Sequence, residues 1–105
     1  MATPVSTFDE AVTRLKPKVV AVRALGVERL AMFGSVARGD ARPDSDVDVL
    51  VRFAEGSKTY DRFLDLAELL EDVPGRPVEL ITVESLSPIL GPTILAEARD
   101  VVRAA

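Results

Sequence analysis

The stretch VDVLVRF at Val47–Phe53 constrains this chain more than any other. From Asp46 onward it has a period of two. Val47, Val49, Val51 and Phe53 fall on one side and Asp46, Asp48, Leu50 and Arg52 on the other, the pattern of a strand with one face in a core. Aspartate is depleted in strands because its short polar side chain prefers turns and caps, so two at alternate positions need a reason. Carboxylates so placed are about 6.6 Å apart and repel by roughly 2–3 kcal/mol at an effective dielectric of ~20, and by well under 1 kcal/mol when fully solvated. A shared divalent cation reverses that sign, whereas two solvated carboxylates at a strand's start are the plain alternative.

The rest of the chain alternates helix-like and strand-like segments. Thr7 and Glu10 have capping-box spacing, and Phe8, Val12, Leu15, Val19 and Val22 recur every three or four residues, which indicates a helix over 7–25. Pro17 either kinks it or opens a second helix. Gly26 is the stop, and ERLAMFG after it reads as a buried strand. A helix is expected over 59–73, with Phe63, Leu66, Ala67, Leu70 and Val73 facing inward, ended by Pro74, Gly75 and Pro77. PVELITV is a third strand, SLSPILGPTILAEA one or two short helices, and DVVRAA an edge strand. A single α/β domain over 1–105 follows, with three or four strands covered by helices and residues 1–6 flexible.

Composition removes several classes of function. The 105 residues include no Cys and no His, so disulfides, thiolate or imidazole metal sites and a histidine general base are excluded. Any metal must be held by oxygen, which favours Mg²⁺, Mn²⁺ or Ca²⁺. The formal charge of -4, scattered basic residues and five aromatics without Trp argue against nucleic-acid binding, which uses basic faces and stacking platforms. No apolar segment approaches the ~18 residues of a membrane span, and the first ten residues carry no basic apolar leader, so neither a membrane helix nor a signal peptide is expected.

Ten residues before Asp46, Gly34-Ser35 lies where RLAMF ends and the helical turn SVAR can begin. A glycine at such a junction lets backbone approach an oxyanion, and the free N–H groups with the Ser35 hydroxyl make a phosphate cradle; an ordinary turn with Ser35 as N-cap is the alternative. Two other motifs fail. Gly34 and Gly39 have P-loop spacing, but Asp40 and Ala41 stand where that loop needs Lys and Ser or Thr. Asp44, Asp46, Asp48 and Glu55 match EF-hand positions 1, 3, 5 and 12, yet Val49 stands at the sixth, where the calcium turn needs glycine.

Gly34-Ser35, ten residues, then Asp46-Val47-Asp48 resembles the signature of the DNA polymerase beta-like nucleotidyltransferase superfamily, within the filling GSVARGD…SDVD. A chance match of the four fixed residues is expected on the order of once per thousand chains of this length. From about Thr7 to Val102 the chain is similar to the minimal, MNT-type members, which consist of little beyond the catalytic core. The resemblance implies a mixed sheet and transfer of a nucleoside monophosphate from a triphosphate to a hydroxyl, with release of pyrophosphate. It also implies two Mg²⁺ ions, or Mn²⁺, at Asp46 and Asp48, with Glu79 as third ligand or proton acceptor, although the family more often has Asp there. Gly34 and Ser35 would hold the phosphates, Arg38 would be a cationic clamp, and Ser45 would orient the loop before Asp46 or simply close a turn.

Minimal members are often the antitoxin of a HEPN-type RNase toxin, and some attach AMP to a toxin tyrosine. The resemblance thus implies ATP as substrate, a HEPN-type toxin as partner, a homo- or hetero-oligomer and a prokaryotic cytoplasm. Alternatives are an antitoxin that works by binding alone and, more remotely, an aminoglycoside-type nucleotidyltransferase.

Overall fold

Capping sets where the first helix begins. Thr7 is extended, its hydroxyl accepts the Glu10 N–H at 3.2 Å, and Glu10 Oε1 in turn accepts the Ser6 N–H at 3.1 Å. In the computed structural model, which describes residues 3–71 and 73–103, this helix, α1, spans Phe8–Leu15. Pro17, which cannot donate within a helix, sits in a single 3₁₀ turn, Lys16–Lys18, before α2, Val19–Ala24. The expected helix over 7–25 is therefore two helices joined at the proline.

The strand order is β3-β2-β1-β4. The central pair, β1 (Val27–Phe33) and β2 (Val47–Phe53), is antiparallel, as is β1 with β4 (Arg99–Arg103). β3 (Val78–Thr82) runs parallel to β2. The crossover between those parallel strands is α4, Tyr60–Leu70, which Thr59 caps through its hydroxyl. A five-residue helix, α3 (Gly34–Arg38), follows β1, and α5 (Gly91–Glu97) precedes β4. The sheet is mixed and four-stranded, as expected.

The valines of β2 act as its anchor. Val47, Val49 and Val51 are all buried with Leu15, Met32, Leu66 and Leu70 in one core cluster, and burying each is worth about 1.5–3 kcal/mol. Leu50 and Ala31, paired across the strands on the opposite face, are buried too, so the sheet is covered on both sides.

Some boundaries differ from expectation. Asp46 lies one residue before β2, because Val47 N–H bonds to Pro77 O where the ladder with β3 begins. α4 stops at Leu70 rather than Val73. Near the N-terminus Val5 is fully buried and its N–H donates to Pro74 O at 2.9 Å; residues 1 and 2 lie outside the described residues. No described helix is long and apolar enough to cross a membrane.

Candidate active site

Phe33, Asp48 and Glu79 stand in register across β1, β2 and β3, so the two carboxylates lie side by side at the end of the sheet where β1 gives way to α3. Asp48 is half-buried and Glu79 exposed. Burial pushes the Asp48 carboxyl up to about 6, helped by proton sharing with Glu79, by the charges of Glu79 and Asp46, and opposed by Arg38. Each cause penalises the ionised form except the last. Asp46, Glu79 and Arg38 therefore all lie close enough to act on the Asp48 carboxyl.

Gly34 completes it. Its φ is +81°, which disfavours any side chain, and a Cβ there would lie 2.1 Å from Asp48 Oδ2. With any larger residue there the Asp48 carboxylate would have to withdraw. The α3 turn that Gly34 starts has no side-chain cap, and Ser35 makes no side-chain hydrogen bond among the described residues. Its hydroxyl does not act as the N-cap of α3; Phe33 occupies that position. Arg38, at the far end of the turn, is exposed and paired with Asp40 at 3.4 Å and Glu97 at 3.2 Å.

Ser45 is placed differently from the others. Its hydroxyl accepts the Arg42 N–H at 2.8 Å while its own N–H bonds Arg42 O at 3.0 Å, so the side chain closes the turn that leads into Asp46. That turn also receives a residue the sequence did not single out. Arg76 is buried, and its guanidinium donates to the Arg42 and Ser45 carbonyls at 2.7 and 3.1 Å. Its position two residues before β3, inside the helix-stopping PGRP, gives no sequence signal for that role.

Among the described residues no three acidic side chains converge closely enough to hold a metal ion as they stand. The donor chemistry nonetheless suits one. The set is all oxygen, as Mg²⁺ and Mn²⁺ prefer, and the crowded like charge on Asp48 is what a divalent cation relieves. Asp48 with Glu79, and Asp46 beside them, would hold it. The arrangement can thus present negative charge to a cation beside the glycine turn that begins α3.

Comparison with known proteins shows the family. Residues 12–101 match the family described as nucleotidyltransferase domain. The protein adenylyltransferase MntA of Thermococcus cleftensis is 42% identical over 72 residues, covering 69% of this chain and 72% of its own. A solved minimal nucleotidyltransferase superposes with a TM-score of 0.67 at 38% identity, covering 84% of this chain and 93% of that one. The MNT antitoxin complexed with the tri-AMPylated HEPN toxin of Shewanella oneidensis shares the fold, with a TM-score of 0.60 at 19% identity over 89% and 73% of the two chains.

Proposed function

The chain belongs to the nucleotidyltransferase domain family, and from that premise we propose that it transfers AMP from ATP to a hydroxyl, a tyrosine in the first instance, of a HEPN-type RNase toxin, and so acts as its cytoplasmic antitoxin. The observation that carries this reading is the meeting of Gly34 with Asp48: the glycine turn that this reading gives to the phosphates stands against a carboxylate suited to a cation. A triphosphate with its metal needs both at once. The relatives' names supply the adenylyl group and the partner class.

In this reading the acceptor oxygen attacks the α-phosphorus, the bond from that phosphorus to the bridging oxygen breaks, and pyrophosphate leaves. Asp46 and Asp48 would hold the metal that the triphosphate brings, and Glu79 would complete the ligand set or take the acceptor's proton. At these carboxylates Mg²⁺, two ions being expected, would neutralise triphosphate charge and make the attacking hydroxyl more acidic. Gly34 and the free Ser35 hydroxyl face the β- and γ-phosphates. Arg38 exchanges its partners Asp40 and Glu97 for phosphate oxygen, and Ser45 serves by shaping the loop.

A second reading, neutralisation by binding alone, is favoured by one observation: among the described residues no finished set of three carboxylates stands ready. Co-expression separates the two. Wild-type protein should protect cells from the toxin and leave it heavier by whole AMP units, and the double variant Asp46→Ala, Asp48→Ala should do neither. Full protection by the double variant, with unmodified toxin, would establish the binding reading instead.

A further inference from the structure

Arg76 is the one buried charged residue among the described residues, and it joins no ion pair among them. A guanidinium taken out of water is costly unless its donors are satisfied, and an apolar residue of similar size is often as stable or more so. Here every acceptor is a backbone carbonyl. Nε donates to Val5 O at 2.5 Å, and Nη1 lies 2.7, 3.1 and 3.5 Å from the carbonyls of Arg42, Ser45 and Pro43. A rigid planar fork with five donors can hold several carbonyls at fixed angles, which a lysine ammonium on a flexible stem cannot.

What those carbonyls belong to gives the cost a purpose. Residues 40–46 contain no helix or strand, and Asp46 is the last of them. Arg76 holds Ser45 O on one side of Asp46, and its neighbour Pro77 accepts the Val47 N–H on the other at 2.9 Å. The Arg76-Pro77 pair thus brackets Asp46 from both directions and ties it to the residues just before β3, Arg76 itself lying three residues before Glu79. Resting on the proposed reading of the site, we infer that Arg76 is a positioning residue for Asp46, which fixes the backbone that delivers this carboxylate to the metal and nucleotide.

The test uses Mn²⁺ binding to the full chain, read by titration well below each variant's unfolding midpoint. Arg76→Lys should raise the Mn²⁺ dissociation constant ~10- to 100-fold, the range for losing a group that orients a metal ligand. In an Asp46→Asn background the same change should add less than about 2-fold, because the two act through one carboxylate. Arg14→Met is the structural control. Arg14 also binds backbone carbonyls, those of Thr3 and Val73, but none in the loop before Asp46; it should lower the midpoint and leave Mn²⁺ affinity within about 2-fold. If Arg76→Lys does not fold, Arg76→Gln carries the same measurement and the same expectation. Unchanged Mn²⁺ affinity, or an equal loss with and without Asp46, would overturn the inference. Wild-type protein that binds no Mn²⁺ would instead overturn the reading of the site and the inference with it.

Discussion

Gly34→Ala separates the site's geometry from ordinary backbone strain, because Gly39 provides a matched control. Both glycines have left-handed backbone, φ +81° and +83°, at the two ends of α3. Alanine at either position therefore carries a similar strain of about 1–2 kcal/mol, or about 4–8 °C in midpoint per kcal/mol for a domain near this size. The surroundings differ. A Cβ at Gly39 meets nothing within 4 Å, whereas at Gly34 it meets Asp48 Oδ2 at 2.1 Å. Ordinary contact begins at 3.4 Å, so the carboxylate must withdraw by roughly 1.3 Å, and an off-rotamer side chain adds only about 1 kcal/mol. Stability should thus differ little between the variants. Activity should differ greatly, since a ~1 Å misplacement of a reacting group costs about 100-fold. The assay is AMP transfer to the co-purified partner, with midpoints read in parallel. In the Asp48→Ala background the extra destabilisation of Gly34→Ala over Gly39→Ala should vanish. Equal activity of the two single variants would refute the claim that Gly34 exists to admit Asp48.

Other outcomes follow from the same charges. Asp48 is raised to about 6 from an ordinary 3.8, so its ionisation destabilises the metal-free fold. Stability should fall as pH rises from about 4 to about 6, by ~1–2 kcal/mol once the full shift is discounted for solvent screening of a half-exposed group; midpoints across that range check it. Mg²⁺ needs the deprotonated form, so stabilisation by added Mg²⁺ should grow with rising pH across the same window, and a flat response would contradict the assignment. Asp48→Asn removes the repelling charge and should raise the metal-free midpoint by a few degrees while abolishing transfer. Glu79→Gln should lower transfer at least ~10-fold with the fold intact, whereas a strand Glu that merely faces water would tolerate the change.

Much of this was legible in the sequence because local rules and the global fold agree. The valines of β2 alternate as their burial does, Thr7 and Thr59 cap the helices they precede, and Pro17 ends one helix and leads to the next. Asp46 just outside its strand was not legible, since ladder ends are set by a partner, here Pro77. Nor was Leu50, which alternation put on the carboxylate face but which the covered sheet buries. Arg76 was invisible for a related reason. Its acceptors are carbonyls 31 to 71 residues away, and backbone acceptors carry no residue identity to read. The Gly34–Asp48 contact could be suspected from spacing, but its closeness belongs to the register of β1 on β2.

The central claim is that the carboxylates and the glycine turn serve adenylyl transfer to a protein, and isotopic labelling decides it. The chain, its partner and Mg²⁺ are incubated with ATP labelled at the α- or at the γ-phosphate, beside the Asp46→Ala, Asp48→Ala double variant. Label from the α-phosphate should appear on the partner, label from the γ-phosphate should leave in pyrophosphate, and the double variant should transfer neither. Transfer of the γ-label, or α-label transfer undiminished in the double variant, would contradict the account.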